Sequence, residues 1–495
     1  MNKRIVVVGA GPGGLTAAML LAARGYQVQV FEKAAQLGGR NGALRVGEYV
    51  FETGPTFLIM PGILEEMFQL AGRKVSDYLD IRPLEPMYRL DFGDGRRLEP
   101  SRNPTKMRDE IERLFPGEGS GFDRYLAREK EKFDRLLPCL RVPYLRLRDY
   151  LSPRMRRALL YLDAHLSLFG ELGKYFRHPM LRLAFTFQAK YLGMSPWKCP
   201  GTFSIISYLE HFAGIHHPIG GLHKISQTMG KIVEEYGGKI YTSTPVQQVT
   251  VRQGRAVGVQ LATGEQVFAD AVVVNADIGH AICHLFPRSA LRKWTPEKLA
   301  KKKFSCSTFM LYLGLDCRYD HLPHHTIFFA SDYRRNVDEI AQKLVLSDDP
   351  SFYVQNASVT DPTLAPPGHS TIYVLVPVPN NRSGIDWEQQ RAVYRDLIIG
   401  LLESRAGLSD LQRHIRAERI ITPWDWEQRA NVYIGATFNL AHSVDQMLYF
   451  RPHNRFDDIE DCYLVGGGTH PGSGLPTIYE SGRIAADLIS QHHPR

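Results

Sequence analysis

The sequence opens with a glycine pattern that suits the binding of a diphosphate. Gly9, Gly11 and Gly14 form a G-x-G-x-x-G motif directly after a short run of β-branched residues. In such a motif the first glycine allows a tight turn, the second lets the backbone approach a pyrophosphate, and the third lets helix and strand pack closely. Glu32 follows 18 residues after Gly14, near the spacing of an acid that binds a ribose hydroxyl. These residues predict a dinucleotide site and leave NAD and FAD open.

Gly38, Gly39 and Arg40 follow shortly after the second predicted strand. A guanidinium in that place is able to lie over the diphosphate of a bound dinucleotide, so this group favours FAD over NAD. The uncharged stretch 5–23 superficially resembles a signal peptide or a membrane span. The glycines within it would break such a helix, and a strand with an acid follows it instead of a cleavage site.

A second glycine-rich turn lies near the C-terminus. Residues 466–468 are three consecutive glycines followed by Thr469, and the missing side chains leave room for a ligand beside the backbone. The stretch 471–476 predicts a rigid turn, and the helix that begins near Thr477 would point its N-terminus at a flavin pyrimidine or ribityl chain. Together with the N-terminal dinucleotide motif, this turn indicates a flavin-binding enzyme.

Other residues that carry chemistry give weaker signals. His216, His217 and His470 are candidate acid–base groups, but a structural role is favoured for each, and no catalytic side chain is assigned. The six cysteines are scattered without a C-x-x-C pair. This spacing indicates a reducing compartment and argues against a zinc site or a disulfide framework, so no metal is predicted.

The elements around these motifs alternate as in an α/β fold. They predict a discontinuous Rossmann-like FAD-binding domain with a strand over 5–8, a helix from about 15 to 24, strands over 27–31, 239–242, 246–251 and 271–277, and a strand, turn and helix over 462–490. An inserted antiparallel or mixed sheet, forming the floor of a substrate cavity, is predicted from alternating patterns over 307–316, 351–359 and 371–379 with a helix near 387–405.

The length of 495 residues exceeds what one core usually supports, so several domains are expected. Three separate segments are predicted to form the FAD-binding domain, at 1–75, 216–284 and 456–495. Two insertions separate them. Residues 76–215 are predicted to form a substrate and helical membrane-associated region, and residues 285–455 a substrate-binding domain.

The net charge of +8 is concentrated in one region. Residues 124–198 hold 16 Lys and Arg against 6 Asp and Glu, a net charge of +10, together with apolar and aromatic runs over 158–170 and 181–193. One interpretation is a solvated basic face on an ordinary helical domain. The other is a surface that lies on an anionic membrane leaflet, where each basic group adds on the order of 1 kcal/mol. Nucleic acid is disfavoured, because no recognition motif is present.

Several segments together resemble the carotenoid desaturases, a family of FAD enzymes related to the amine oxidases. The run 466–489 contains the pattern Thr-His-Pro-Gly-x-Gly-x-Pro of that family, and residues 52–62 resemble its segment beside the isoalloxazine ring. Further similar segments are 187–211, 214–225, 304–316 and 361–387. The similarity spans essentially the whole chain and is nearest to the C30 branch, the 4,4'-diapophytoene (dehydrosqualene) desaturases.

The resemblance implies a set of flavin-binding residues, carried over position by position. They are Gly9, Gly11, Gly14, Glu32, Gly39, Arg40, Gly54, Pro55, Thr56, Val246, Gly467, Gly468, Thr469, Pro476 and Thr477. Among them, residues 54–56 match the loop near the flavin ring, and Val246 matches the residue whose backbone meets the adenine. Asn41 departs from the family pattern, in which a small or β-branched residue often follows Gly-Gly-Arg.

The resemblance implies FAD as the cofactor and desaturation of a linear C30 isoprenoid, with flavin N5 as the hydride acceptor. Two activities of the same family stay open, namely oxidation of the terminal methyl groups of a C30 carotenoid and desaturation of C40 phytoene. A non-catalytic prenyl-binding protein, similar to the GDP-dissociation inhibitors, is the alternative from another class. The intact Glu32 and the Gly-Gly-Arg group favour a bound flavin.

The resemblance also implies partners and a location. An apolar tunnel would hold the isoprenoid, a membrane surface would present it, and a quinone or oxygen would reoxidise the flavin. The expected location is cytoplasmic, with peripheral membrane association. Candidate aromatic residues for the tunnel, each of which also suits plain core packing, are Phe185, Phe187, Tyr191, Phe203, Tyr208 and Phe212.

Overall fold

The computed structural model describes residues 3–494, apart from the side chains of Lys190 and Tyr191, and these residues form five β-sheets. The strands are β1 Arg4–Val8, β2 Gln27–Phe31, β3 Ala43–Val46, β4 Tyr49–Glu52, β5 Leu58–Ile59, β6 Ile81–Pro83, β7 Arg89–Asp91, β8 Arg97–Leu98, β9 Ile215–Pro218, β10 Lys239–Tyr241, β11 Val246–Arg252, β12 Arg255–Leu261, β13 Gln266–Phe268, β14 Ala271–Val274, β15 Ser307–Leu315, β16 His325–Phe328, β17 Phe352–Gln355, β18 Ser370–Val378, β19 Ile415–Ile421 and β20 Cys462–Leu464.

The α-helices range from a single turn to 22 residues. They are α1 Pro12–Ala23, α2 Pro61–Leu70, α3 Pro104–Leu114, α4 Gly119–Leu140, α5 Pro153–Leu159, α6 Leu168–Leu172, α7 Pro179–Ala184, α8 Ile205–Ala213, α9 His223–Glu235, α10 Ile278–His280, α11 Pro296–Ala300, α12 Tyr333–Asp338, α13 Trp387–Ala406, α14 Leu411–His414, α15 Pro423–Gln428 and α16 Leu475–His492.

A parallel sheet of five strands carries the glycine motifs at one edge. Its strand order is β10-β2-β1-β14-β20, and it draws strands from the beginning, middle and end of the chain. Residues from α1, α2, α9 and α16 pack on one face, while the β11–β13 sheet and α10 pack on the other. Burial on both faces explains why β1 and β14 are almost entirely valine and isoleucine. This is the expected discontinuous Rossmann-like domain.

The sequence predicted that α1 begins near residue 15. The helix begins at Pro12 instead. Proline fits the first turn of a helix, because its missing N–H has no partner there in any case. The last glycine of the motif therefore lies inside the helix. A Cβ built on Gly14 would lie 2.3 Å from the carbonyl oxygen of Gly9, so close packing of strand and helix excludes any side chain at this position.

A mixed sheet of seven strands covers the other side of the molecule. Its order is β19-β15-β18-β17-β16-β7-β8, and the pairing is antiparallel except between β16 and β7. One face packs on α13. The opposite face presents polar and aromatic residues, because Tyr312 pairs with Tyr373, Tyr373 pairs with Gln355, and Gln355 pairs with His325.

The helical region α3–α8 surrounds a second apolar core that adjoins this sheet. It also buries a charged cluster, in which Lys132 lies 2.7 Å from Glu129 and 3.2 Å from Asp163. Within residues 3–494, none of the helices combines the length and hydrophobicity needed to cross a bilayer. The predicted domain boundaries at 75, 215, 284 and 455 stay predictions.

Candidate functional site

The carboxyl edge of the parallel sheet brings three chain segments together. Val8 is in register with Phe31 on one side and with Val274 on the other, so the residues that follow these strands emerge next to one another. The first turn contains Gly9, whose φ of +94° lies in the region that favours glycine. A Cβ on Gly11 would lie 2.8 Å from the amide nitrogen of Asn275. The glycines thus keep this edge open, as a bound diphosphate at the start of α1 requires.

Glu32 lies at the end of β2 and is almost completely buried. Its Oε2 accepts a hydrogen bond from the backbone N–H of Ala10 at 2.7 Å, and its Oε1 accepts one from Ala34 at 2.9 Å. Each carboxylate oxygen has a further lone pair, so Glu32 retains acceptor capacity. This arrangement suits recognition of ribose hydroxyls.

Asn275 is a site residue that the sequence analysis missed. It follows β14, and its amide nitrogen donates to the carbonyl oxygen of Gly9 at 3.2 Å. Its Oδ1 faces the backbone of both glycine turns, since a Cβ would lie 2.9 Å from it at Gly13 and 3.1 Å from it at Gly466. A polar residue directly after a buried parallel strand was the available signal.

Arg40 is held by groups from distant parts of the chain. Its Nη1 donates to the carbonyl oxygen of Thr437 at 2.8 Å and lies 3.8 Å from Oδ2 of Asp277. The amide of Asn439, oriented to satisfy both neighbours, donates to Asp277 at 2.7 Å and accepts from Arg40 at 3.2 Å. Burial raises the pKa of Asp277. The guanidinium that the sequence predicts to lie over the diphosphate is therefore fixed in orientation by a polar network.

The C-terminal turn is fixed by hydroxyl groups. The side chain of Ser481 accepts a hydrogen bond from the N–H of Gly466 at 3.1 Å, and Thr469 donates to the carbonyl of Gly466 at 2.9 Å. Helix α16 begins at Leu475 with Pro476 in its first turn, and the hydroxyl of Thr477 lies 2.9 Å from the carbonyl of Gly474.

A side chain on either of two glycines of this turn would press on its neighbours. A Cβ on Gly468 would lie 2.7 Å from the side chain of Ile278, and one on Gly467 would lie 3.0 Å from the hydroxyl of Ser473. Packing against neighbouring side chains therefore fixes the backbone of this turn.

Arg451 is a second residue that the sequence analysis missed. It is fully buried, and its Nη2 and Nε donate to the carbonyls of Gly467 at 2.7 Å and Thr469 at 3.1 Å. Its other acceptors are the carbonyls of Leu440 and Gln446 and the sulfur of Met447. None of the partners found for Arg451 within residues 3–494 is a carboxylate, and burial lowers the pKa of Arg451 to about 9. A buried cation without a protein anion suits a site for an anionic cofactor.

Three tyrosines of the mixed sheet hold the loop after β4. Their hydroxyls donate to the carbonyl of Thr53 at 2.7 Å (from Tyr312), to the carbonyl of Gly54 at 2.8 Å (from Tyr373) and to the hydroxyl of Thr56 at 2.8 Å (from Tyr353). A Cβ on Gly54 would lie 2.7 Å from the carbonyl of Arg40. The loop with Pro55 is therefore fixed between the Arg40 turn and the mixed sheet. The sequence did not predict the tyrosine contacts, because they depend on strand register.

The predicted flavin-binding residues thus occupy three turns and one loop around a single sheet edge. Val246 lies at the rim of this group, at the start of β11, just after Thr244, whose N–H donates to the carbonyl of Glu32 at 2.8 Å. The bare glycine turns, the acceptor carboxylate and the unpaired buried cation fit a flavin dinucleotide.

The aromatic residues predicted for a tunnel are divided between two environments. Phe185 and Phe187 are buried in the core of the helical region, and Phe203 is half-buried. Tyr208 and Phe212 line a cavity of about 340 Å³ together with Arg102, Phe122, Leu126 and Lys130. The side chain of Tyr191 lies outside the described region of the chain.

The fold and the site define a flavin-dependent oxidoreductase. Residues 12–490 match the family described as flavin containing amine oxidoreductase, and the chain belongs to this family. The prediction of FAD as the cofactor is confirmed, and so is the enzymatic interpretation over the non-catalytic alternative.

Carotenoid desaturases are among the proteins to which the chain is similar. The chain is 50% identical over 492 residues to a 4,4'-diapophytoene desaturase (4,4'-diapolycopene-forming) of Methylomonas sp, covering 99% of this chain and 96% of the relative. It is 41% identical to the all-trans-zeta-carotene desaturase of Myxococcus xanthus, covering 99% and 93%. An oxidoreductase structure from Methanosarcina mazei, with a TM-score of 0.64 and 17% identity over 98% and 100% of the two chains, shares the fold. The resemblance to carotenoid desaturases is confirmed.

Proposed function

We propose that this chain is an FAD-dependent desaturase that converts the linear C30 isoprenoid 4,4'-diapophytoene (dehydrosqualene) into a longer conjugated polyene in carotenoid biosynthesis. The observation that carries the proposal is the 50% identity, from end to end, to a protein named for this reaction. The site agrees with it, because a fixed dinucleotide edge lies beside an aromatic sheet face.

Desaturation removes a hydride from one carbon and a proton from its neighbour. The bound flavin supplies the hydride acceptor. The glycine turns, Glu32 and Arg40 would bind and orient the cofactor, and the loop with Thr56 would lie beside its ring. Because the substrate has no polar group, its position must depend on apolar contacts and on the exclusion of water.

Aromatic side chains next to the Thr56 loop offer such contacts. The ring of Phe57 lies 6.2 Å from that of Tyr88, which in turn lies 5.2 Å from that of Phe187. The rings of His325 and Tyr353 lie 4.2 Å and 5.7 Å from Phe57 on the side of the mixed sheet. These rings would form the wall against which a polyene chain is held.

A membrane surface is the proposed source of this insoluble substrate. The segment around α5 exposes Leu147, Leu151, Leu159 and Leu160, with exposed fractions from 52% to 81%. Exposed arginines lie in the same segment, at 154, 156 and 157. Leucines of this kind would enter the interface while the arginines contact anionic headgroups. The proposed location is thus cytoplasmic and peripheral, with a membrane quinone or oxygen as the electron acceptor.

Feeding three substrates in liposomes tests the function. The holoenzyme is offered squalene, dehydrosqualene and C40 phytoene, and products are identified by absorption and mass. We expect the longest polyene from dehydrosqualene. A preference for phytoene would assign the enzyme to C40 carotenoids, as the zeta-carotene desaturase relative suggests. Oxygenated, aldehyde-bearing products would instead assign oxidation of terminal methyl groups.

A further inference from the structure

Three side chains that are able to bind a metal ion lie together at one end of the mixed sheet. Asp316 and Cys317 directly follow β15, and His414 directly precedes β19. The two strands pair in antiparallel fashion with Leu315 opposite Ile415, so the end of one strand lies beside the start of the other. The spacing of these residues in the sequence did not predict a metal site, because only the strand pairing makes them neighbours.

The distances within this group are close to those around a zinc ion. One ligand atom from each of the three side chains lies within 4.8 Å of the other two, and Nδ1 of His414 lies 2.8 Å from Oδ1 of Asp316. The ligand atoms of a tetrahedral zinc ion are roughly 3–4 Å apart, because its bonds are about 2.0 Å to nitrogen and oxygen and about 2.3 Å to sulfur. Within residues 3–494, no second group of three His, Cys, Asp or Glu side chains is this compact.

The backbone that carries the three side chains is held in place. The N–H of Asp316 donates to the carbonyl of His414 at 3.1 Å, and the hydroxyl of Ser370 donates to the carbonyl of Cys317 at 2.6 Å. The pairing of β15 with β19 also contains a register shift beside these residues, and bulges of this kind often re-aim side chains next to functional sites. Because the strand ends are fixed, the group loses little backbone freedom when it binds an ion.

The carboxylate of Asp316 has a separate partner for each of its oxygens. Oδ2 is paired with Arg416, whereas Oδ1 faces His414. A partner on the outer oxygen of a ligating carboxylate fixes its orientation. The side chains of His414 and Asp316 are 38% and 25% exposed, and Cys317 is partly buried, so an ion and a water molecule have access to the group. An ion pair among these charges needs no thiol, but a zinc ion needs a third protein ligand.

We propose that Asp316, Cys317 and His414 form a zinc site that ties the end of β15 to the start of β19, with water as the fourth ligand. Thiolate and imidazole ligands suit Zn²⁺, whereas Mg²⁺ and Ca²⁺ bind oxygen ligands. Three protein ligands and one water are the usual set of an open zinc site. The inference is independent of the proposed desaturation, because it uses none of the residues assigned to the flavin.

Zinc binding changes the protonation of two of these side chains. The thiol of Cys317 releases its proton to water, because zinc binds the thiolate. His414 binds through the lone pair of Nδ1, so its ring proton lies on Nε2, away from the ion. The carboxylate and the thiolate together balance the two positive charges of the ion, and no oxidation or reduction takes place.

Zinc binding to the FAD-loaded enzyme tests the proposal. Protein without a polyhistidine tag is stripped of metal with a chelator and dialysed against buffers of known free Zn²⁺, and the bound zinc is measured. X-ray absorption at the zinc edge identifies the ligand atoms without interference from the flavin. The variants are Cys317→Ser and His414→Gln. Cys283→Ser and His165→Gln are the matched controls, since both residues have exposed surface and lie outside the group. FAD content and the thermal unfolding midpoint are measured for each protein.

We expect the wild type to bind one zinc ion per chain with a dissociation constant of about 1 µM or below. The zinc-edge spectrum should show one sulfur at about 2.3 Å and nitrogen or oxygen at about 2.0–2.2 Å. Cys317→Ser and His414→Gln should each weaken binding at least about tenfold, while the controls bind as the wild type does.

Three results would overturn the proposed zinc site. They are binding of less than one zinc ion per chain at saturating micromolar Zn²⁺, a wild-type spectrum without sulfur, and an equal loss of zinc in the controls. Zinc held by nitrogen and oxygen alone would be an adventitious ion only. The spectrum of the wild type decides the matter even if a variant fails to fold.

Discussion

At the scale of single residues, Gly11 separates cofactor binding from folding. Its backbone is extended, with φ −78° and ψ 174°, so a larger residue would be free of backbone strain. The added Cβ would meet the amide of Asn275 at 2.8 Å, and a side-chain amide is able to move aside. A valine here would therefore obstruct the surface offered to the diphosphate without breaking the fold.

Gly11→Val should accordingly purify as a folded but colourless protein. Absorption in the flavin band measures the FAD content, and thermal unfolding measures the fold. Gly62→Val is the control, because Gly62 lies on an exposed turn of α2 with no atom within 4 Å of its Cβ position. Stoichiometric flavin in Gly11→Val would show that the diphosphate lies elsewhere.

Arg451 should contribute to cofactor affinity through its charge. Its hydrogen bonds reach four main-chain carbonyls and the sulfur of Met447, so none of these partners carries a negative charge. Arg451→Met should weaken FAD binding by at least about tenfold, which corresponds to ~1.4 kcal/mol. Titration of the apoprotein followed by flavin fluorescence measures this.

Two controls accompany the Arg451 titration. Arg451→Lys keeps the charge and should lose less affinity than Arg451→Met. Arg97→Met removes an exposed arginine that is paired with Asp91 and should change nothing. An unaltered dissociation constant in Arg451→Met would assign the residue to folding alone.

Glu52 should make stability depend on pH. Burial raises its pKa to about 8 from an ordinary 4.5, so the folded state keeps a proton that the unfolded state releases above pH ~4.5. The stability of the wild type therefore falls as pH rises between these two values. Glu52→Gln removes this fall. Its free energy of unfolding, relative to that of wild type, should therefore rise by on the order of 2–4 kcal/mol between pH 5 and pH 8.

Urea unfolding of both proteins at pH 5 and pH 8 measures the effect of Glu52. Glutamine is able to keep the bond from the N–H of Leu222, which Glu52 accepts at 2.6 Å. A difference between the two proteins that is equal at both pH values would mean that Glu52 is charged in the folded state.

At the scale of elements, α5 has a buried apolar side and an exposed basic side. Met155 and Ala158 pack into a small apolar cluster with the end of α4. The arginines and the leucines that flank them stay outside. This arrangement explains why the basic segment also carries a large number of apolar residues.

The double variant Leu151→Gln, Leu160→Gln should lose vesicle binding without loss of stability. These side chains are 72% and 81% exposed, so their removal costs little in the folded protein. Co-sedimentation with anionic vesicles should fall about tenfold or more, because each leucine transferred from water contributes on the order of 1.5–3 kcal/mol. Val393→Gln, on α13 and 65% exposed, is the control. Pelleting that is unchanged in the double variant contradicts membrane docking by this segment.

Sequence patterns predicted the elements well where one periodicity dominated. The strands 27–31 and 307–316 correspond to β2 and β15 almost residue for residue. The predicted start of α1 was too late. The prediction assigned the whole glycine motif to the turn, whereas the helix already begins at Pro12 within the motif. Asn275, Arg451 and the tyrosine hydroxyls were missed because their roles depend on which strands are neighbours and in what register. Sequence spacing carries little of that information.

At the scale of the whole molecule, the two large sheets have different roles in the proposed reaction. The parallel sheet gathers three distant segments into a dinucleotide edge. The mixed sheet holds the ring-side loop with three tyrosine hydroxyls. The helical region adjoins both the aromatic wall and the exposed leucines, so a lipid substrate would pass from membrane to flavin through this region of the chain.

Anaerobic mixing of the holoenzyme with dehydrosqualene in liposomes tests the central claim most directly. The absorption of oxidised flavin and of the polyene is recorded together in one experiment. We expect the flavin band to bleach while polyene absorption grows at longer wavelength, and a quinone or oxygen to restore the flavin for further turnovers. Polyene formation without any reduction of the flavin would contradict the account.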